Sequence, residues 1–236
     1  MVAEQPQSNN LLVFLVPHHE YETLCRHSEP VHLPTGKILY HMGDNIQYAY
    51  FLSGGQVSLL STTEDGMTVE VAMAGNEGVI GIPVILRINI SPYLAMVQIA
   101  AGRAMRVRAD VLRREFDRGG KLQDLLLRYT HVLLAQISQS AICNRFHTLE
   151  ERLSRWLLMA NDVVKQDTFN LTQEFIAHML GTPRTGVTMA AGALQRAGQI
   201  RYSRGRITVL NRKGLQSSSC ECYKIIRKEF DTFLKT

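Results

Sequence analysis

The sequence predicts an α+β chain, in which an N-terminal antiparallel β-roll (jelly roll) is followed by a long helix and a C-terminal winged helix-turn-helix. Three observations predict it: β-rich runs separated by glycines, a heptad repeat after them, and two amphipathic segments joined at Gly181. With 236 residues and 45% hydrophobic side chains, the chain can bury a core in one large domain or two small ones. We place the β-roll at 1–120, the long helix and hinge at 121–147, and the C-terminal domain at 148–236.

Residues 31–109 have the turn spacing expected of short antiparallel strands. Glycines recur between β-rich runs such as AYFLSGGQVSLLS and MTVEVAMA. Turns at such even spacing are typical of a closed barrel or jelly roll. The firmest local prediction is a hairpin at Glu64-Asp65-Gly66, because Asp-Gly accepts the positive φ values that a tight turn requires.

A heptad repeat predicts a helix from Leu122 to about Arg145. Its members alternate at spacings of four and three residues, the pattern of a helix that packs against another helix. We assign these positions to a dimer seam: Leu122, Leu126, Tyr129, Leu133, Gln136, Ser140 and Cys143. Leu125, Val132 and Ile137 lie off the repeat and are expected to face the chain's own barrel. The alternative is a helix that packs only on its own domain.

The run LTQEFIAHMLGTPRTGVTMAAGALQRAGQI predicts two helices joined by a tight turn. Thr172 is expected to cap the first helix and Gly181 to end it. Thr182 is expected to cap the second helix, with Pro183 at its first position, where a missing N–H costs nothing. The apolar side of the second helix is Val187, Ala190, Ala191 and Leu194.

The second helix of such a motif can enter a DNA major groove with its first turns at the base edges. Arg184 can donate two hydrogen bonds to guanine, and a threonine can bond a base or touch a thymine methyl group. The following run, IRYSRGRITVL, predicts a hairpin wing whose arginines can reach phosphates. The residues we assign to DNA binding are Thr172, Gln173, Arg184, Thr185, Thr188, Arg204 and Arg206.

The charge distribution favours the same partner. Residues 1–147 hold 12 bases and 13 acids, whereas residues 148–236 hold 14 bases and 8 acids. No acid occurs in the 46 residues between Glu174 and Glu221, and that window holds seven bases. A basic region of this kind is the footprint of nucleic-acid binders, although a solvated basic face would give the same count. The helix pair, the wing and the acid-free window together indicate DNA binding.

The stretch 171–223, with its terminal SSCECY, resembles the DNA-binding domain of the Crp/Fnr family of bacterial transcription regulators. LPTGKILYHMGD, YFLSGGQVSLL and GNEGVIGIPVIL are similar to the cyclic nucleotide-binding β-roll of that family, so the resemblance covers about residues 30–223. It implies a homodimer joined through the long helix, an effector in each β-roll, and a double-stranded DNA site with two-fold symmetry. It also implies RNA polymerase as a partner.

The effector pocket departs from the family pattern. Members that bind cyclic AMP carry Gly-Glu and then Arg-Ser in this cassette, and the arginine neutralises the phosphate. Here Gly81 precedes Ile82 at the glutamate position, and Tyr93 and Leu94 stand at the Arg-Ser positions. The positions that the resemblance assigns to the pocket are Gly81, Ile82, Tyr93, Leu94, Ile137 and Ser138. Without the paired cation, cyclic AMP is disfavoured and the small-molecule effector is unknown.

Other cofactors find little support in the sequence. An iron–sulfur sensor needs an N-terminal cysteine cluster, and that region holds only Cys25, so this cofactor is disfavoured. Five histidines from His18 to His41 keep haem open by residue type alone. The other cysteines are too scattered to predict a zinc site or a disulfide framework, so we expect no metal.

The longest apolar run, Leu11–Val16, predicts neither a signal peptide nor a membrane span, so we expect a cytoplasmic protein without a membrane partner. The sequence as a whole predicts a homodimeric, effector-controlled, DNA-binding transcription regulator with no catalytic residues. One alternative is a regulator that binds DNA without an effector and uses the β-roll as a scaffold. The other is a cupin-like metal-binding protein or enzyme, suggested by histidines in a β-roll.

Overall fold

The computed structural model of the chain describes residues 9–164 and 167–235. The chain divides into two compact units. The first comprises Met1–Leu59, Met73–Val132 and Thr232–Thr236, and the second comprises Leu60–Ala72 and Leu133–Asp231. The predicted fold class is confirmed, since antiparallel sheets precede a long helix, a helix-turn-helix and a wing.

Strands dominate the N-terminal half of the described chain. They are β1 (Ser28–Leu33), β2 (Ile38–Tyr40), β3 (Tyr48–Leu52), β4 (Gln56–Thr62), β5 (Thr68–Ala74), β6 (Val79–Ile80), β7 (Leu94–Ile99) and β8 (Gly102–Arg108). Two four-stranded sheets result, in the orders β1-β8-β3-β6 and β2-β7-β4-β5. The β1–β8, β3–β8, β3–β6 and β2–β7 pairs are antiparallel.

Helices flank these strands and form most of the C-terminal half. Those before the helix-turn-helix are α1 (Leu11–Phe14), α2 (His18–Arg26), α3 (Ala109–Asp117), α4 (Lys121–Phe146) and α5 (Leu149–Val164), with a 3-10 turn over Ile82–Val84. The remaining elements are β9 (Thr168–Asn170), α6 (Gln173–Leu180), α7 (Arg184–Arg196), β10 (Ile200–Ser203), β11 (Arg206–Val209), α8 (Arg212–Ser217) and α9 (Cys222–Leu234). Among the described residues, no helix has the length and apolar character needed to cross a membrane.

The hairpin predicted at Glu64-Asp65-Gly66 is present between β4 and β5. Gly66 has a φ of 86°, and the Thr63 amide donates to the Met67 carbonyl at 2.9 Å. A side chain is strained in this left-handed conformation, so glycine suits the position.

The helix predicted to begin at Leu122 is present, but the seam assigned to it is wrong. Every member of that heptad repeat is buried inside its own chain: Leu122, Leu126, Tyr129, Leu133, Gln136, Ser140 and Cys143. Tyr129 shows why, because its ring packs so closely on Gly78 that a Cβ there would lie 2.2 Å from it. A heptad repeat reports that one helix face is covered, and here the chain itself covers that face.

A second heptad series lies on the exposed side of α4. Its members follow one another at spacings of four and three residues and are all exposed: Leu127, His131, Leu134, Ser138, Ala141 and Arg145. Leu134 exposes 59% of its surface, which is high for a leucine within a helix. Of the three residues expected to face the barrel, Leu125 and Val132 are buried and Ile137 is half-buried.

Candidate nucleic-acid interface

The first helix of the helix-turn-helix begins and ends as predicted. The Thr172 hydroxyl accepts a hydrogen bond from the Phe175 amide at 3.1 Å, which caps α6. At the other end Gly181 takes a φ of 56° and closes the helix. The Thr182 amide then reaches back to the Ala177 carbonyl at 3.0 Å. Thr182 therefore belongs to the end of α6.

The second helix begins one residue later than predicted. Pro183 is the N-cap of α7, and its carbonyl accepts from the Gly186 amide at 3.0 Å. The cap assigned to Thr182 is therefore wrong, because the turn that ends α6 already uses that residue. The predicted apolar side is confirmed, since all four of its members are buried: Val187, Ala190, Ala191 and Leu194.

The outer side of α7 presents the residues predicted to meet a base edge. Arg184, Thr185 and Thr188 are all exposed in its first two turns. The Thr188 hydroxyl donates to Gln173 Oε1 at 2.8 Å, so two of the predicted DNA-binding residues are held together across the two helices. Met189, one residue further on, is 75% exposed and adds an apolar contact point to this surface.

The wing is a β10–β11 hairpin with β9 on its far side. Arg204 and Gly205 form its turn with φ values of 51° and 74°. The Gly205 carbonyl accepts from the Leu171 amide at 2.7 Å, which places the wing tip beside the start of α6. Arg206 follows on the adjacent strand, and both wing arginines are exposed.

Two further bonds fix the wing against the helix pair. Gln195 on α7 accepts from the Tyr202 amide at 2.8 Å, and the Tyr202 hydroxyl donates to the Leu171 carbonyl at 3.2 Å. Neither residue carries a sequence signal for this role, since a lone Gln or Tyr in a basic segment predicts only an exposed polar side chain. The two hydrogen bonds therefore hold in place the wing that carries the exposed arginines.

The predicted effector residues in the first unit are uncharged and mostly buried. Gly81 has a φ of 109°, and a Cβ there would lie 3.2 Å from both the Tyr40 hydroxyl and the Ala49 Cα. Ile82 is 4% exposed, Tyr93 is buried, and Leu94 is half-buried. Burial raises the pKa of both Tyr40 and Tyr93, so these phenols stay neutral near pH 7. The other two predicted positions, half-buried Ile137 and exposed Ser138, lie on α4 in the second unit.

Two arginines in or beside the segment from Gly81 to Leu94 are already engaged. The Arg87 guanidinium forms an exposed ion pair with Asp117 at 3.2 Å. Arg113 Nε donates to the Val84 carbonyl at 3.2 Å, in the segment that follows Gly81. The sequence did not single out Arg113, because it lies on α3 and comes near the cassette only through folding.

The interior of the β-roll also holds polar side chains that the sequence did not reveal. Gln56 Nε2 donates to Gln98 Oε1 at 2.9 Å, and Ser58 donates to the same oxygen. All three residues are buried. Gln56 Oε1 and Gln98 Nε2 have no hydrogen-bond partner among the described residues, which is costly for buried polar atoms. In sequence these strands look like ordinary alternating β segments. Only the pairing of β4 with β7 in the sheet brings the three polar side chains together.

Comparison with known proteins assigns a domain to each half. Residues 30–118 match the model of the cyclic nucleotide-binding domain, and residues 151–218 match the model of the Crp-like helix-turn-helix domain. A search of curated proteins finds no match by sequence.

Solved structures share the fold over most of the chain. A Crp/Fnr family protein from Eubacterium rectale has a TM-score of 0.69 at 15% identity, with 89% of this chain and 98% of that chain covered. FixK2 from Bradyrhizobium japonicum has a TM-score of 0.69 at 17% identity, with 82% and 98% covered. The c-di-GMP responsive global regulator CLP from Xanthomonas campestris has a TM-score of 0.63 at 14% identity, with 82% and 99% covered.

Proposed function

Because the chain belongs to the Crp/Fnr family of DNA-binding transcription regulators, we propose that it acts as a homodimer whose two α7 helices bind a two-fold symmetric DNA site. The family is non-enzymatic, and no catalytic role is assigned to any residue here.

The exposed residues in the first turns of α7 are proposed to contact the DNA bases. Arg184 and Thr185 stand at the helix start, where side chains reach base edges and backbone N–H groups favour phosphate. Arg204 and Arg206 project from the braced wing and are assigned to phosphate. Arg184 thus supplies preference for a base, while the wing supplies affinity for any duplex.

The exposed heptad series of α4 supports self-association. A second copy of the same helix would cover Leu127, Leu134 and Ala141, and parallel helices pair through such a seam. In a two-fold dimer the same patch is used on both copies, so the recognition helices would reach half-sites about 34 Å apart.

The effector is proposed to be something other than cyclic AMP. A cyclic phosphate carries a full negative charge, and its burial needs a paired cation. The segment from Gly81 to Leu94 offers Arg87, which is exposed and paired with Asp117. The buried Gln56 and Gln98 suit an uncharged polar molecule better, because their two unpartnered atoms are one acceptor and one donor.

The first test selects DNA from a random pool with the purified full-length protein. Enrichment of a two-fold symmetric site supports the proposal, whereas enrichment without symmetry, or none, contradicts the dimeric reading mode. The affinity for the selected site is then measured with and without cyclic AMP. A large gain with cyclic AMP would overturn the effector assignment.

Native mass spectrometry of the protein as purified addresses the effector itself. A co-purified molecule that changes DNA affinity when removed supports sensing by the β-roll. If no molecule is found and DNA affinity is already maximal, the β-roll is a scaffold and the protein binds DNA without an effector.

A further inference from the structure

Three cysteines and one histidine that are distant in sequence come together in the second unit. Cys143 and His147 stand one turn apart at the C-terminal end of α4, while Cys220 and Cys222 stand at the start of α9. Their ligand atoms all lie within 4.8 Å of one another. The three cysteines are buried and unpaired by disulfides. Sequence spacing hid this cluster, because 77 residues separate Cys143 from Cys220.

Two distances within the cluster are close to those of a tetrahedral site. The Sγ atoms of Cys143 and Cys220 are 3.6 Å apart, and Cys222 Sγ is 3.5 Å from His147 Nδ1. With metal bonds of about 2.3 Å to sulfur and about 2.05 Å to nitrogen, tetrahedral zinc would place these pairs about 3.8 Å and about 3.6 Å apart. These two pairs are therefore within a few tenths of an ångström of the tetrahedral spacing, and all four ligand atoms lie within 4.8 Å of one another.

We propose that Cys143, His147, Cys220 and Cys222 bind one structural Zn²⁺ ion per chain. Three thiolates and an imidazole form a common closed zinc ligand set with no position left for a substrate. The ion would join the end of α4 to the start of α9 within the second unit. This site does not depend on how the protein reads DNA or on what its β-roll binds.

The surroundings orient the ligands as zinc sites require. His147 Nε2 lies 3.3 Å from Glu221 Oε1, so the ring can donate to the carboxylate while Nδ1 faces the cluster. A carboxylate on the far nitrogen fixes the ring and makes it a better ligand. Gln139 Nε2 also donates to Cys222 Sγ at 3.2 Å, a bond that favours a thiolate.

The positive charges of two arginines beside the cluster also favour thiolates. Arg155 is 5% exposed, and neither it nor the half-buried Arg152 forms an ion pair with a carboxylate among the described residues. A buried guanidinium without a counter-charge is strongly destabilising. The hydrogen bond from Cys220 and the positive charge of Arg155 both favour the thiolate form of Cys143, whereas burial opposes it. Three thiolates on Zn²⁺ leave one net negative charge for these arginines.

The test begins with the full-length protein purified under reducing conditions without a metal-affinity step. We expect about one zinc per chain by elemental analysis. Exchange for Co²⁺ should give the thiolate-to-metal absorption and the strong ligand-field bands of a tetrahedral site. Substoichiometric metal together with no such spectrum after Co²⁺ addition would overturn the proposal, and stoichiometric iron or copper would overturn the assignment to zinc.

Cys25 provides an internal control for a second measurement on the unmodified chain. It is half-buried on α2 and belongs to the first unit, whereas the cluster belongs to the second. Of the four thiols, we expect only Cys25 to react readily with a thiol reagent before chelation and the other three to react after it. An unchanged number of reactive thiols after chelation would count against a metal. A disulfide between Cys143 and Cys220 in the protein as purified would likewise exclude the site.

Variants complete the test. Cys222→Ser is expected to lose the bound zinc, whereas Cys25→Ser retains it. Glu221→Gln keeps all four ligands and should weaken zinc binding by about 10- to 100-fold in competition with a chelator. The proposal fails if Cys222→Ser holds zinc as tightly as the unmodified chain. Because the Co²⁺ spectrum and the thiol count need no variant, a misfolded Cys222→Ser protein would still leave the proposal open to refutation.

Discussion

Trp156 Nε1 donates a hydrogen bond to Glu70 Oε1 at 3.0 Å, in a place where both side chains are buried. Trp156 lies on α5 and Glu70 lies on β5, and both residues belong to the second unit. An indole N–H can only donate, so its burial requires an acceptor. Glu70 is thus the residue that lets the largest side chain of this core be buried completely.

Glu70→Ala should lower the free energy of unfolding by about 1–3 kcal/mol, because it leaves the Trp156 N–H buried without this acceptor. Glu64→Ala is the matched control, since Glu64 is an exposed glutamate in the turn of the same hairpin. Urea denaturation measures both. Equal losses for the two variants would show that the bond contributes nothing specific.

Arg184→Ala should cost about 1–3 kcal/mol of binding to the selected DNA site and relax the preference at one base position. Arg196→Ala, exposed at the other end of α7, should leave that preference intact. Fluorescence anisotropy on the selected site and on random duplex compares them. If Arg184→Ala weakens both duplexes equally, Arg184 contacts only the backbone.

Arg204→Asn should weaken binding to all duplexes and reduce the dependence of log affinity on log salt by about one. Asparagine tolerates the left-handed conformation that Arg204 adopts, so this change removes the charge and keeps the turn. Arg204→Lys should retain the salt dependence. An unchanged salt dependence in Arg204→Asn would remove the wing tip from the phosphate contacts.

Leu134→Glu should convert the proposed dimer to a monomer, because it places a charge in the exposed heptad series of α4. Met67→Glu is the control, since Met67 is 65% exposed at the hairpin tip and outside that helix. Sedimentation velocity distinguishes the two species. A dimer that survives Leu134→Glu would locate the interface elsewhere.

Gly192→Ala should stabilise the protein by about 0.5–1 kcal/mol, because alanine favours a helix and the new Cβ would meet only the end of Arg196, 3.4 Å away. At Gly186 a Cβ would lie 2.8 Å from Leu149 Cδ2, so the same change should gain less or destabilise. The midpoint temperatures of thermal unfolding compare the stabilities of the two variants. The reverse order would contradict the packing described for Gly186.

The C-terminal domain was largely predictable from sequence because its signals are local. Each feature can be recognised from residues within one or two helical turns: the Thr172 cap, the Gly181 stop and the four buried side chains of α7. The fold class followed in the same way from turns and periodicity. The N-cap of α7 was assigned to Thr182, one residue too early, because the sequence does not show whether Thr182 ends α6 or begins α7.

The features that sequence missed depend on contacts between distant segments. The heptad repeat at Leu122 revealed a covered face of α4, but periodicity does not say which surface covers it. The polar pair Gln56 and Gln98 meets only through the register of the sheet. Cys143 and Cys220 are likewise neighbours in space alone.

The exposed leucines of α4 and Cys143 share one uninterrupted helix, and His147 follows its last residue, so their directions around the axis are fixed by residue count. Deleting a single residue between Leu134 and Cys143 would turn one set by about 100° relative to the other. The helix therefore tolerates conservative substitution in this stretch but not a change of length. Its length is a constraint on this chain as strict as the identity of any one side chain.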